Sequence, residues 1–461
     1  MMKVVQFVDE GLGNSSHLVI SERTGLGALI DPLRDVDRYI KTAAELGVRI
    51  THVFDTHIHN DFVTGDRELS VCVGAGAAAA LQYPYQALRE GDTVVVGDLE
   101  FRILETPGHT PEHVSYLVRD LGSRAGPPAL FSGGSLLVGA VGRTDLLGKE
   151  YAEGLARQLY GALKQKILPL PDEVAVYPTH GAGSFCTAVS GSARSTTIGN
   201  ERDSNRYLRI KGEEEFVETL LGSMPSYPSY FKYLRKINQQ GPRILGGVPE
   251  LAPLTPRAVR ERIDRGEAVV DTRPVTKYLA SHIPGSFHVE LRPAFSVWVG
   301  WTVKFGSPLV LVADTEEERE EAVRQLIRIG YDNLSGYLEG GIDAWKDAGL
   351  PRRETPTITV DELRSGLDRE DSLIVLDVRF EDEWLAGHIP GAKHIEAGAL
   401  SAETVELPRD RTIAVHCAQG PRSATGLSVL EQAGYQDLAF VSGGFDTWKE
   451  KGFPVEYGTK R

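Results

Sequence analysis

Cysteine is scarce in this chain: three in 461 residues, at Cys72, Cys186 and Cys417. They are odd in number, far apart and without any CxxC pair, which argues against a disulfide framework and a structural zinc site. Such sparse usage fits a reducing, cytoplasmic setting. Long apolar runs are missing too. No stretch approaches the roughly 20 residues needed to cross a bilayer, so no membrane partner is expected. The opening MMKVVQFVDEGLGNSSHLVI lacks an apolar core followed by a small-residue cleavage site, and reads as strand, turn and strand rather than as a signal peptide. Positive charge is in deficit: 50 Lys and Arg against 64 Asp and Glu leave a net charge of −14, which repels phosphate backbones and disfavours a nucleic-acid partner. What remains is an ordinary globular mixture, 41% apolar and 25% charged. The length exceeds the roughly 250–300 residues at which single cores stop growing, and about 150 residues per domain suggests three domains.

An internal repeat fills the second half. VVDTRPVTKYLASHIPGSFHV (269–289) matches VLDVRFEDEWLAGHIPGAKHI (375–395) almost position for position, and GYDNLSGYLEGGIDAWKDAGLP is echoed by GYQDLAFVSGGFDTWKEKGFPV. A period of about a hundred residues indicates duplicated domains rather than a solenoid, whose repeats run about 20–50 residues. Pro/Gly-rich joints at 245–256 and 349–357 bracket the copies. The expected division is 1–245, 254–352 and 356–461. Each copy alternates strand and helix, with Thr255 and Thr359 as helix N-caps, which predicts parallel sheets covered by helices on both faces. The first part is different: short strands, a helix over VDRYIKTAAELG, and histidine-bearing loops that follow strand ends, where side chains converge on one rim of a sandwich.

AVHCAQGPRSATG places Cys417 where a buried strand stops and a helix begins. Loop amides and the helix dipole there favour an anion, so a thiolate is stabilised. Gly420 permits tight curvature, Gln419 lies in the loop, and Arg422 adds positive charge, so the segment can cradle a persulfide or a departing sulfur oxyanion. Taken with DVRFEDEWLAGHIPGA and SGGFDTWK, this half resembles the rhodanese family as tandem domains over nearly all of 254–461. With four residues between Cys417 and Arg422, the loop has the size that in rhodanese relatives suits sulfur, whereas related phosphatases use a longer one. In the first copy Asp314 falls at the cysteine position and Arg319 opposite Arg422. A carboxylate cannot carry sulfane sulfur, and Glu316, Glu317 and Glu318 would repel an anion, so this copy is expected to be a catalytically dead spacer or docking surface.

In the front part His57 and His59 leave one loop at i, i+2 and His109 arrives from another, a plausible nitrogen cluster for a metal. THIHND (56–61), TPGH (106–109) and PTH (178–180) resemble the metallo-β-lactamase fold, an αββα sandwich, over about residues 1–240. His113 matches no motif and is expected to be structural or an exposed strand residue. The fusion to tandem rhodanese domains, with DFVTGD, VGRTDLLG, HGAGSFC and TTIGNER, resembles persulfide dioxygenases. That resemblance implies non-haem Fe(II) held by His57 and His109, and oxidation of a low-molecular-weight thiol persulfide such as glutathione persulfide to sulfite, in hydrogen sulfide detoxification. It implies that Arg143 borders the thiol substrate and that Phe62, where hydrolytic relatives keep a second-metal histidine, favours a mononuclear site. It also implies an aspartate ligand where this chain has Gly134. A two-histidine, one-carboxylate set matches ferrous oxygenase chemistry, and glycine supplies no ligand. Water or Asp61 could fill the gap, His59 could complete a zinc-like site with His180 nearby, or no metal would bind stably.

The expected function is therefore persulfide oxidation in the front domain, coupled to transfer of sulfane sulfur by Cys417 between thiosulfate, sulfite, persulfides and thiols in double displacement. Two alternatives stand: a metal-dependent thioester hydrolase of the hydroxyacylglutathione hydrolase type, and a sulfurtransferase whose front domain only binds. A homo-oligomer is left open.

Overall fold

The computed structural model describes residues 1–122, 126–186, 193–367, 373–401 and 406–458. The chain divides into two compact units: residues 1–249 with the short stretch 326–330, and residues 250–325 with 331–461. Among the described residues no helix is long and apolar enough to cross a membrane.

The first unit is an αββα sandwich. One six-stranded sheet runs in chain order through Met2–Asp9, Asn14–Ser21, Leu26–Ile30, Arg49–Phe54, Cys72–Gly76 and Gln86–Leu88; the other orders its strands Thr196–Thr197, Ala175–Pro178, Ala129–Gly133, Val114–Asp120, Leu99–Glu105 and Thr93–Val96. Alternation explains the pairing of faces. In Thr93–Val96 exposed and buried residues alternate strictly, because successive side chains point to opposite faces. The inward set packs between the sheets: Val19, Ile30 and Phe54 from one, Phe101, Ile103, Tyr116 and Phe131 from the other. Each such fully buried side chain stabilises by about 1.5–3 kcal/mol. The outer faces are covered by helices. Asp37–Glu45 buries Tyr39 and Ala43 against one sheet, and Lys149–Ala162 with Glu213–Leu221 buries Leu155, Leu159 and Phe216 against the other.

The second unit holds two copies of one design. Each is a five-stranded, all-parallel sheet: Pro253–Leu254, Leu334–Leu338, Leu309–Val312, Ala268–Asp271 and Phe287–His288 in the first, and Thr357–Ile358, Leu438–Val441, Thr412–His416, Leu373–Asp377 and Lys393–His394 in the second. Thr255 accepts the Ala258 N–H at 3.3 Å and Thr359 that of Glu362 at 3.2 Å, capping the opening helices. Trp345 and Trp448 fill equivalent core positions, each donating its indole N–H to a proline carbonyl at 2.8 Å, Pro351 and Pro454 respectively. Tryptophan tolerates burial when its polar handle finds a partner.

Candidate functional site

The strand Thr412–His416, central in the second copy's sheet, leads into Cys417, and the helix Pro421–Gln432 begins four residues later. Pro421 needs no N–H at the first helical position. Gly420 adopts φ +135°, outside the ordinary range of a side-chain-bearing residue, and its N–H donates to Cys417 Sγ at 3.0 Å. The residue is only 2% exposed, but its sulfur meets a backbone donor at a helix N-terminus, where the partial positive charge favours an anion. The segment SGGFDTW braces the loop from behind. Phe445 N–H donates to the Cys417 carbonyl at 2.8 Å, and a Cβ on Gly444 would lie 2.4 and 2.5 Å from the carbonyl oxygens of Cys417 and Ala418. Gln419 is tied to Asp446 at 3.1 Å.

Arg422 does not stand free above the loop. Its guanidinium grips both oxygens of Glu383, one at 2.8 Å, and lies 5.3 Å from the Phe380 ring. Burial pushes the Glu383 carboxyl up, but Arg422 outweighs it and holds the group below its ordinary value. Glu383 therefore fixes the arginine beside the sulfur and offsets part of its charge. Over the loop opens a cavity of about 700 Å³, floored by Gln419, Gly420 and Pro421 and walled by Val275, Leu279 and Ala280 of the first copy. The copies are joined by Glu431, which accepts from His282 at 3.0 Å and from the Gly285 N–H at 2.9 Å.

The equivalent loop of the first copy has become a helix cap. Glu318 accepts the N–H groups of Asp314 and Thr315 at 2.9 and 3.1 Å, while Thr315 Oγ1 accepts the Glu318 N–H at 3.2 Å. This reciprocal box satisfies the amides that would otherwise face an anion. Asp314 is paired with Lys277 at 2.5 Å, and Arg319 lies over the Tyr337 ring at 4.1 Å. The expectation that Glu318 merely repels an anion understates its effect: its carboxylate occupies the cradle.

In the first unit, the loop after Arg49–Phe54 carries His57 and His59, and the loop after Leu99–Glu105 carries His109. Hydrogen bonds fix their tautomers. Thr56 Oγ1 donates to Asp31 at 2.8 Å and so accepts the Nδ1–H of His57, at 2.8 Å. His109 donates Nδ1–H to the Arg143 carbonyl at 2.7 Å. Asn14 donates its amide to Asp61 at 2.7 Å, which leaves its oxygen to accept His180 Nδ1–H at 2.9 Å. All three rings thus turn a bare Nε2 inward, and His57 Nε2 and His180 Nε2 stand 3.3 Å apart. Burial first, then neighbouring histidines, lowers His109 and His180 to about 3 and His57 well below its ordinary value. His59 engages Asp31 through Nε2 at 3.2 Å and stacks on Phe62, with its ring 4.2 Å from that of His57 and its buried Nδ1 without a hydrogen-bond partner among the described residues. Burial would raise Asp31, but His59, Thr179 and the Thr56 amide outweigh it and hold it at about 2.

Among the described residues three groups could hold a metal, each with donor atoms within 4.8 Å of one another: His57, His59 and His180; His109, His180 and Cys186; and Asp31, Asp55 and His59. The two-histidine, one-carboxylate iron set does not fit. Gly134 offers no donor, and a Cβ there would lie 2.3 Å from Cδ2 of His109, whose ring fills the space a side chain would enter.

The rhodanese-like domain family matches residues 255–348 and 359–451. The chain is 30% identical to human mitochondrial persulfide dioxygenase ETHE1 over 191 residues, 40% of this chain and 68% of that protein. It is 34% identical to the hydroxyacylglutathione hydrolase of Rhodospirillum rubrum over 173 residues, 36% of this chain and 62% of that one. A crystal structure from Staphylococcus aureus, described as a metallo-β-lactamase, matches at 31% identity with a TM-score of 0.66, covering 73% of this chain and 98% of that one. The chain belongs to the persulfide dioxygenase–rhodanese family. Both halves of this family member thus have relatives in sulfur metabolism.

Within the family frame, several sequence-selected residues converge. Cys417, Gln419, Gly420 and Arg422 share one loop and helix start, and His57, His109 and His180 face one another, with Asp61 anchored to Asn14. Arg143 is held from several segments. Its buried guanidinium makes four hydrogen bonds, two to Asp145 and one each to the carbonyls of Phe185 and Pro225, and stacks over Tyr227 at 4.5 Å. His113 is spent on structure, accepting the Gly134 N–H at 2.9 Å and bonding Thr106 at 2.9 Å. Sequence reasoning missed Glu383, Asn14 and Cys186. HGAGSFC was visible as a motif, but Cys186 was weighed only as one of three scattered thiols.

Proposed function

We propose that the chain is a sulfurtransferase working through a persulfide on Cys417. The observation that carries this reading is the Gly420 N–H aimed at Cys417 Sγ, in a loop whose Gln419, Gly420 and Pro421 line a cavity of about 700 Å³. In the first half-reaction the Cys417 thiolate attacks the sulfane sulfur of thiosulfate or of a low-molecular-weight thiol persulfide. The new S–S bond forms as the old one breaks, and sulfite or the thiolate leaves with the bonding pair. In the second, a thiolate or sulfite attacks the outer sulfur and releases the Cys417 thiolate. The loop amide and helix N-terminus favour the anion at each stage, and Arg422, held by Glu383, places a cation beside an anionic donor. Cys417→Ser abolishes thiosulfate:thiol transfer; retained transfer in that variant would remove the assignment.

A second reading, persulfide oxidation in the first unit, is favoured by the similarity to human persulfide dioxygenase. Gly134 counts against it, because it supplies no carboxylate beside His109. Oxygen uptake with glutathione persulfide, measured beside metal analysis of the same sample, separates the two. The thioester-hydrolase reading is favoured by the match to hydroxyacylglutathione hydrolase, and a thioester assay tests it.

A further inference from the structure

We infer that His416 is the proton partner of Cys417: it takes up a second proton when the thiol ionises, so that the working site is a thiolate backed by a buried imidazolium. The inference rests on the reading of Cys417 as nucleophile and names a positioning residue for it.

His416 ends the strand Thr412–His416 and is completely buried. Its Nδ1 lies 3.3 Å from the carbonyl oxygen of Cys417. A carbonyl only accepts, so Nδ1 carries a proton. In a neutral ring Nε2 is then bare. That nitrogen has no hydrogen-bond partner among the described residues, and it sits 3.6 Å from Oδ2 of Asp377, itself fully buried. A lone pair facing a carboxylate is repelled, whereas a second proton makes the contact attractive. The geometry suits the charged ring.

The surrounding groups decide when that charge is held. Asp377 and the Cys417 carbonyl favour it. Arg379, which donates to both oxygens of Asp377 at 2.6 and 3.0 Å, opposes it, as does His394, whose Nε2–H is spent on the Arg379 carbonyl at 2.8 Å. Burial is the largest influence and lowers His416 below its ordinary value. Asp377 alone therefore falls short while the thiol is neutral. An anion at Cys417, one residue on, supplies the missing attraction. The sulfur loses one proton, Nε2 gains one, and the net charge of the site is unchanged.

The first copy supplies the contrast. Asp271 and Arg273 repeat the carboxylate–guanidinium pair there, at 2.9 and 2.6 Å. The residue that pairs with Asp271 in the sheet, as His416 pairs with Asp377, is Val312. Both copies keep the aspartate and the arginine, but only the copy with the thiol has the histidine.

The test follows the pH dependence of iodoacetamide alkylation at the Cys417 peptide by mass spectrometry, in the full chain and in His416→Asn and His416→Gln. Asparagine keeps an amide donor for the Cys417 carbonyl, so it replaces a ring that acts only as a hydrogen-bond donor. The alkylation midpoint should rise by about one pH unit in both variants. Thiosulfate:cyanide transfer should fall with it at neutral pH and recover at alkaline pH. A wild-type midpoint in His416→Asn overturns the inference. Should both variants fail to fold, histidine-ring NMR of wild type and Cys417→Ser decides, one pH unit above the wild-type midpoint. One ring should be cationic in the first protein and neutral in the second; identical ring states overturn the inference. Alkylation needs no sulfur transfer. Absent transfer with a shifted midpoint would remove the proposed function and leave the pairing, whereas transfer with an unshifted midpoint would do the reverse.

Discussion

Gly444→Ala probes the brace behind the Cys417 loop. Gly444 has φ +56°, and an added Cβ would lie 2.4 and 2.5 Å from the carbonyl oxygens of Cys417 and Ala418. The left-handed conformation alone costs about 1–2 kcal/mol for a residue with a Cβ. The contact adds more, because both oxygens belong to backbone and cannot swing aside. Relief requires the loop to move by several tenths of an ångström, breaking the 2.8 Å bond from Phe445 N–H to the Cys417 carbonyl. A displacement approaching 1 Å at a reacting atom costs about 100-fold in rate. Gly443→Ala is the matched control: φ is +80°, but the new Cβ meets the Thr447 side chain, Oγ1 at 2.4 Å and Cβ at 2.8 Å, rather than the carbonyls of the Cys417 loop. Thermal unfolding and thiosulfate:cyanide transfer are measured on both. Both variants should lose about 2–4 °C per kcal/mol of strain, but only Gly444→Ala should lose transfer by about 100-fold. Wild-type transfer in Gly444→Ala, or equal losses in the two, would refute the reasoning.

Asp314→Cys in a Cys417→Ser background should restore no sulfur transfer, because the Glu318 carboxylate already takes the amides of residues 314 and 315; measurable turnover would show that the first copy's loop can still open. Gly134→Asp should raise bound iron by supplying the carboxylate beside His109, and lower the melting temperature because the His109 ring must turn and strain its 2.7 Å bond to the Arg143 carbonyl. Metal analysis and calorimetry check both effects, and unchanged iron would mean that His57 and His109 do not form half of an iron site. Burial, only partly opposed by Tyr83, raises Asp66 from 3.8 to about 6. The folded state therefore binds this proton more tightly than the unfolded chain, and the ionised group destabilises progressively from pH 4, in full above pH 6. Asp66→Asn should gain stability relative to wild type as pH rises through that window and show no gain below it; a pH-independent difference would contradict the shift.

The duplicated sheets and the Cys417 loop were legible because their signals are local: a strand, a cysteine, a glycine and a helix start within six residues. The sandwich was legible from short alternating strands and from histidines placed after strand ends. What sequence could not supply came from distant segments. Glu383 reaches Arg422 from 39 positions away, and Asn14 orients His180 across 166. The i, i+2 spacing pointed to His57 and His59 as partners, but not to Asp31, 28 residues upstream, which takes His59 Nε2, or to His180, which stands opposite His57. The anchors of Arg143 were hidden as well: Asp145 lies two residues on, but the two carbonyls it bonds come from other segments. The glutamates of the first copy were visible as charge, but the capping box that turns Glu318 onto the loop amides needed a backbone.

The central claim is that one thiol carries the sulfur. The direct measurement is peptide mass spectrometry after brief exposure to thiosulfate and alkylation of the trapped persulfide. The peptide bearing Cys417 should gain one sulfur atom, while those bearing Cys72 and Cys186 gain none. Extra sulfur on Cys186, or none on Cys417, would contradict the account.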